Sequence, residues 1–311
     1  MPTPETLRLG TRTSRLAMWQ AEHVAGALRA AWPGLTVELV PFVTQGDRTL
    51  DKPLPEIGGK GLFTAELEAD LLDGRIDLAV HSLKDLPTDD PAGLTVGATT
   101  ERADVRDAWI SPSGATLADL PPGATVGTSS LRRGAQLLRQ RPDLVIRSIR
   151  GNVETRIRKV HEGDYHAGVL ALAGLERLEI ADRAAAVLDL DAMLPAPGQA
   201  ALGVQVRSDD EAVLRLVAAL DHAETRAAVT AERQFLAGLG GGCSAPIAAY
   251  AWVEGGRLQI RTRVVSTDGA QTIEVDADGP FDTLDPAVCG AALGLDVANR
   301  ALADGAGALL S

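Results

Sequence analysis

The order of elements in this sequence predicts an α/β protein of two lobes, each built on a largely parallel sheet, followed by a smaller α+β unit with a three-stranded antiparallel sheet. Three observations carry that prediction. Strand and helix patterns alternate as β-α-β-α-β twice over. The pattern changes after Pro195 and Pro197. The turn dipeptides Gly255-Gly256 and Asp268-Gly269 then separate three consecutive strand patterns.

Residues 7–10 open the first lobe as a short strand. Residues 14–32 follow as a helix, with Leu16, Trp19, His23 or Val24, and Leu28 at helical spacing and Pro33-Gly34 as the stop. A strand at 36–43, a helix at 64–72 closed by Gly74, and a strand at 76–80 complete that unit. The second lobe has strands at 125–127, 144–149 and 167–172, alternating with helices at 131–141 and 153–162. Beyond Pro197, helices at 210–220 and 224–239 precede strands at 247–253, 258–265 and 272–275. A last helix at 286–303 is expected to cover one face of that sheet.

At 311 residues and 45% hydrophobic content the chain can bury substantial cores, and with 3% aromatics those cores must be filled mainly by aliphatic side chains. Length alone suggests about two domains, and the change of pattern after Pro197 argues for a third. No apolar run approaches the roughly 18 to 20 residues that span a bilayer, and Met1-Pro2-Thr3-Pro4-Glu5 lacks the basic and apolar regions of an export signal. The expectation is a soluble, cytoplasmic protein with no membrane partner. Cys243 and Cys289 show neither paired spacing nor nearby histidines, so no disulfide framework and no metal site is expected. The net charge of −12 opposes general affinity for nucleic acid. Any anion site must be local.

Such a site is visible. Between Arg132 and Lys159 lie eight arginines and one lysine against Asp143 and Glu154. Thr128-Ser129-Ser130-Leu131-Arg132-Arg133 falls where a strand ends and a helix begins, and Arg150-Gly151-Asn152-Val153-Glu154-Thr155-Arg156 falls at the next such junction. Helix amino termini offer unpaired N–H groups, hydroxyls add donors, and each guanidinium presents a fork suited to carboxylate or phosphate. A small polyanion is the natural guest, the plain alternative being a solvated basic helix face, to which Arg139, Arg141 and Arg158 are assigned. In the first lobe, Arg12 and Ser14 read equally as ligand contacts or as a surface residue and an N-cap. His81-Ser82-Leu83-Lys84-Asp85-Leu86-Pro87 follows a strand and carries an amine and a carboxylate, which makes Asp85 the best acid/base candidate, with a turn-forming aspartate as the alternative. His81 reads as a packed strand-end histidine. Cys243, taken alone, reads as a buried inert cysteine.

Taken together, these junctions resemble the porphobilinogen deaminase family. Also matching are Thr44-Gln45-Gly46-Asp47-Arg48, Gly59-Lys60-Gly61-Leu62-Phe63, Ala171-Leu172-Ala173-Gly174-Leu175 with Arg177, Thr230-Ala231-Glu232-Arg233, and Gly241-Gly242-Cys243 before Pro246. They run in family order over nearly the whole chain. The resemblance implies two lobes similar to type II periplasmic binding proteins and a third domain bearing the cofactor cysteine, divided as 1–99 with 200–217, 100–199, and 218–311. The chain would return to the first lobe near 199–206.

The resemblance further implies a dipyrromethane cofactor in thioether linkage to Cys243, and a monomer. Porphobilinogen would lose ammonia to give an electrophilic azafulvene, which the free α-carbon of the growing chain attacks, leading to hydroxymethylbilane. Asp85 would be the catalytic carboxylate. Ser14, Lys84, Asp85, Thr128 and Ser129, with Arg132, Arg133, Arg150 and Gly151, would hold the cofactor. Arg12, Ser14, Arg150, Arg156 and Arg177 would hold substrate, joined by Lys60 and Phe63 near the closing end of a mobile lid at about 46–61, a stretch that without the resemblance reads equally as a plain surface loop. Ala200, where the family often has Gly, and Gln205, where Glu is commoner, place hinge geometry in question. The rival reading is a non-catalytic small-anion-binding protein on the same two-lobed fold, which has no need of Asp85 or Cys243.

Overall fold

Strand β1 (Thr6–Arg12) pairs in parallel with β2 (Thr36–Phe42) along its whole length and with β3 (Leu78–Ser82) at Leu9 and Gly10. This computed structural model describes residues 4–44, 64–241 and 245–310. Between β1 and β2 runs the helix Arg15–Ala31, which starts where Ser14 accepts a hydrogen bond from the Ala17 N–H. Its stripe of Ala21, Val24, Ala25 and Leu28 packs on Leu7, Leu9, Val37 and Leu78 of the sheet. The helix Ala65–Leu72 buries Leu67 and Leu71 against Ile76 and Ala79. Strand β4 (Leu94–Thr99) closes the order β2-β1-β3-β10-β4, in which β10 (Leu202–Arg207) is inserted antiparallel between β3 and β4.

The second sheet repeats this order. It comprises β5 (Asp107–Ile110), β6 (Thr125–Gly127), β7 (Val145–Arg147), β8 (Ala167–Ala171) and β9 (Ala186–Val187), arranged β7-β6-β8-β5-β9. Here β6 is parallel to β7 and β8, and β5 is antiparallel to its neighbours. Each lobe therefore receives its antiparallel strand, β5 or β10, from a segment that has just crossed from the other lobe. Two crossings, 100–106 and 188–201, join the sheets.

The C-terminal sheet is β11 (Ile247–Glu254), β12 (Arg257–Val265) and β13 (Thr272–Pro280) in antiparallel sequence order. The helices Ala223–Gly238 and Pro286–Ala303 pack beside it, burying Ala231, Phe235, Leu293 and Val297 against Ile247 and Ile260. They approach closely because Gly290 and Gly294 have no Cβ: one added there would lie 2.4 Å from the Ala227 carbonyl oxygen and 2.3 Å from that of Ala231.

The α/β class and the antiparallel C-terminal sheet are as the sequence predicts, and the differences lie at ends and in short pieces. The strand expected at 76–80 is Leu78–Ser82, since Asp77 is occupied with Arg8, whose Nη2 donates to it at 2.7 Å. The helix expected at 210–220 is Glu211–Val217, tightening into a 3₁₀ turn at Ala218–Leu220. The strand expected at 144–149 shortens to Val145–Arg147, and that at 272–275 extends to Pro280 as β12 supplies partners throughout.

Candidate active site

After β3 the chain turns through a 3₁₀ segment, Leu83–Asp85. Leu83 and Leu86 are buried on either side of it, and the Leu83 N–H donates to the Ala201 carbonyl at 3.0 Å, which fastens the turn to the second crossing. Between these anchors Lys84 is half-buried and Asp85 is exposed. The apolar residues of Leu83-Lys84-Asp85-Leu86 thus fix the backbone, and of the polar ones Asp85 is left open to solvent.

Lys84 begins a chain of polar contacts that runs from one lobe into the other. Its Nζ donates to Gln199 Oε1 at 3.2 Å, and Gln199 Nε2 donates to Asp107 Oδ1 at 2.8 Å and to the Val105 carbonyl at 2.7 Å. Asp107, fully buried at the start of β5, also accepts from Arg132 Nη2 at 2.9 Å and from Arg133 Nη2 at 2.8 Å. Burial pushes the Asp107 carboxyl up, but Arg133 and Arg132 outweigh it and hold the group well below the usual carboxylate range. Burial, aided by the charge of Arg133, pushes the Lys84 ammonium down to about 8, against the opposing pull of Asp85 and Asp107. Arg132 Nη1 donates to the Leu194 carbonyl at 2.6 Å, while its Nε is buried with no partner among the described residues. Sequence reasoning did not single out Asp107 or assign Gln199 a contact. An aspartate heading the apolar strand Asp107-Ala108-Trp109-Ile110 was the available signal.

The junctions of the second lobe are built as the sequence suggests, with the hydroxyls largely used by the fold. Ser130 caps the helix Leu131–Gln140, accepting from the Arg133 N–H, and Thr128 Oγ1 accepts from the Ser130 N–H. Ser129 Oγ donates to the Ile149 carbonyl at 2.8 Å and ties the end of β6 to the segment after β7. Asn152 caps the helix Val153–His161. Gly151, just before it, adopts φ +118°, and a Cβ there would lie 2.6 Å from the Thr155 methyl, so the turn requires glycine. Arg156 Nε donates to the Gly151 carbonyl at 2.7 Å. Burial, followed by the charge of Arg133, pushes Arg156 down to about 10, with Arg150 adding to the shift and Asp85 opposing it. Asp85 therefore lies within electrostatic reach of Lys84 from its own lobe and Arg156 from the other. Arg139, Arg141 and Arg158 stand in ion pairs with Glu274, Asp143 and Glu162.

On the first lobe Ser14 serves as the helix cap. Arg12 is partly buried, and its charge adds to the burial that pushes the neighbouring His81 down to about 4. His81 is buried, as expected of a strand-end histidine, with Nε2 lacking a partner among the described residues; on the adjacent strand Gln205 is also buried. Arg177 Nη2 donates to the Ala200 carbonyl at 2.6 Å, and its guanidinium lies 5.7 Å from the centre of the Trp19 ring. It thus bears on the second crossing. Arg15 adds a direct link between lobes, 2.8 Å from Glu154. Cys243, Lys60, Phe63 and the segment 46–61 lie outside the described residues. Cys289 is half-buried on the last long helix. Among the described residues, no group of three or more His, Cys, Asp or Glu side chains is placed to hold a metal.

Comparison with known proteins supplies a family. Residues 7–215 match the porphobilinogen deaminase, dipyromethane cofactor binding domain, and residues 226–302 match the porphobilinogen deaminase, C-terminal domain. A porphobilinogen deaminase of Bordetella parapertussis is 49% identical over 311 residues, covering 100% of this chain and 97% of its own length. One from Syntrophotalea carbinolica is 51% identical over 305 residues, covering 98% and 95%. Among solved structures, the methionine binding protein MetQ covers 70% of this chain and 90% of its own, at 17% identity and a TM-score of 0.44. The periplasmic aliphatic sulphonate binding protein SsuA of Escherichia coli covers 76% and 70%, at 16% identity and a TM-score of 0.41. With both domain matches in order and two relatives near half identity from end to end, this chain belongs to the porphobilinogen deaminase family.

Proposed function

We propose that this chain is a porphobilinogen deaminase, a transferase that joins porphobilinogen units head to tail into the linear tetrapyrrole hydroxymethylbilane and releases ammonia. The observation that carries the reading is the gathering of Lys84, Arg132, Arg133, Arg150 and Arg156 around a turn that presents the exposed carboxylate of Asp85. A dipyrromethane bears acetate and propionate groups, so its site must offer cations in excess. These five cations, with the buried Arg132 Nε that has no hydrogen-bond partner among the described residues, fit that demand. A thioether to Cys243, in the sequence Gly241-Gly242-Cys243, would supply the attachment. When bound, the group supplies a pyrrole with a free α-carbon from which the chain grows.

The residues of the chain divide the remaining work. As ammonia departs from substrate, positive charge develops on the pyrrole nitrogen; Asp85 balances it, accepts the pyrrole N–H, and assists proton movement at the leaving amine and the α-carbon. Lys84, Arg132, Arg133 and Arg150, with Ser14, Thr128, Ser129 and the Gly151 backbone, are assigned to the cofactor. Arg12, Ser14, Arg150, Arg156 and Arg177 are assigned to substrate carboxylates, and Lys60 and Phe63 to the substrate site. The proposed division is 1–99 with 200–217, 100–199, and 218–311. No helix of the described residues is long and apolar enough to cross a membrane. We assign the protein to the cytoplasm as a monomer that does not bind nucleic acid.

Intact mass tests the proposal. Purified protein should carry a dipyrrole-sized excess that disappears in Cys243→Ser, and added porphobilinogen should produce a ladder in increments of one pyrrole. A protein of bare polypeptide mass that acquires nothing from substrate overturns it.

A further inference from the structure

Two consecutive side chains on the helix Ala223–Gly238, Glu232 and Arg233, grip segments distant in the chain. Glu232 is fully buried, and each of its carboxylate oxygens accepts two hydrogen bonds. Oε1 accepts from Arg102 Nη1 at 2.6 Å and from the Ala251 N–H at 2.7 Å. Oε2 accepts from Arg102 Nη2 at 2.9 Å and from the Gly198 N–H at 2.7 Å. Arg102 belongs to the first crossing, Gly198 to the second, and Ala251 to β11, so one carboxylate fastens both crossings to the third sheet. Arg102 Nε also donates to the Gln199 carbonyl at 2.8 Å and links the two crossings directly.

Arg233 does the corresponding work on the Asp85 turn. Its Nη1 donates to the Leu83 carbonyl at 3.4 Å and to that of Leu86 at 3.2 Å. Its Nη2 donates to the Pro87 carbonyl at 2.6 Å and to that of Thr88 at 3.3 Å. Four carbonyls on one guanidinium bracket Lys84 and Asp85 on both sides. The rigid, planar fork suits this task, since a lysine ammonium offers a single point and cannot span the set. Five residues beyond Arg233 the helix ends, and Cys243 follows two residues after Gly241 in the chain.

We infer that this helix is a strut holding the Asp85 turn in fixed relation to the third domain, with Arg233 as a positioning residue for Asp85 and Glu232 as the pin that keeps both crossings against it. The inference rests on the proposed role of Asp85. An exposed carboxylate on a three-residue turn has little packing of its own to orient it; the orientation comes from Leu83 and Leu86 beneath and Arg233 behind. Misplacement of a reacting group by about 1 Å can cost a hundredfold in rate, so a residue that touches neither substrate nor cofactor can still govern turnover.

The test uses the cofactor-loaded, full-length protein and two readouts. In Arg233→Gln, hydrogen–deuterium exchange at residues 83–88 should quicken by about tenfold or more while the amides of β1, β6 and β12 keep their wild-type rates. In the same variant kcat should fall at least about tenfold with the cofactor mass intact. Arg233→Lys should recover part of both, and it serves as the working variant if Arg233→Gln does not fold. Unchanged exchange at 83–88, or loosened exchange with wild-type kcat, overturns the inference. Failure of the Asp85 assignment shows itself separately, as full turnover in Asp85→Ala.

Discussion

The two lobes share a strand order but hold their charged groups by opposite means. In the second lobe Arg132 and Arg133 are almost completely buried and are locked onto Asp107, a carboxylate that never reaches solvent. In the first lobe the candidate reactive group, Asp85, is exposed on a short turn anchored by Leu83 and Leu86 and braced by Arg233. The comparison teaches that the two aspartates belong to different energetic classes. Asp107 is bound up with the stability of the fold, and Asp85, exposed on its turn, is not.

Substitutions at the two aspartates test that division, and they should move opposite observables. Asp85→Ala should lower kcat by about a thousandfold, within the range for loss of a positioned acid/base group, yet change stability by no more than about 0.5 kcal/mol because the side chain is exposed. Asp85→Glu should retain more activity than Asp85→Ala. Steady-state turnover and urea unfolding measured on the same preparations make the check. Asp107→Asn should do the reverse in the first instance, destabilising by about 3 to 5 kcal/mol, since it leaves two buried guanidiniums without their counter-charge. A stable Asp107→Asn protein, or an Asp85→Ala protein that unfolds easily, breaks the comparison.

Lys84 sharpens it, because this residue of the first lobe is electrostatically coupled to the second. Its ammonium, lowered to about 8, is charged in the folded protein below that pH and neutral above it. With Lys84 assigned to the cofactor, kcat/KM for porphobilinogen should therefore fall as pH passes through 8, by about tenfold once one charge-assisted contact to the growing chain is gone. The fold responds with the opposite sign. The unfolded chain binds this proton more tightly, so Lys84 penalises folding below about pH 8, and the penalty fades as pH rises toward the ordinary lysine value. In Lys84→Met, kcat/KM should be low at every pH and the inflection near 8 absent. A wild-type kcat/KM that stays flat from pH 7 to 9.5 removes Lys84 from the proposed cofactor site.

Much of this arrangement was legible in the sequence, for identifiable reasons. Ser14, Ser130 and Asn152 mark helix starts by local hydrogen bonding, and residues three or four apart, such as Val24 and Leu28, mark a buried face by period alone. The arginines stood out by number and by their place at strand-helix junctions. What stayed hidden is set by contacts distant in sequence. The bond from Gln199 to Asp107 spans 92 positions, and that from Arg102 to Glu232 spans 130. Strands β5 and β9, of four and two residues, are too short for alternation to announce them, and they exist because the chain crosses between lobes there.

The smallest expected effect lies at the second crossing, where the lobes are joined through Ala200. This residue adopts φ 71°, a left-handed conformation that costs a residue with a Cβ about 1 to 2 kcal/mol. Its methyl is buried in a cluster with Val105 and Ala173, worth about 0.8 kcal/mol, and glycine would add about 0.4 to 1 kcal/mol of chain entropy to the unfolded state. The relief of strain and the two losses nearly cancel, so Ala200→Gly should change stability by less than about 1 kcal/mol in urea unfolding. Its carbonyl still accepts from Arg177, so the anchoring of that arginine is kept. A loss of 2 kcal/mol or more would mean that the packed methyl, and with it the tie between the crossing and the second lobe, outweighs the backbone strain.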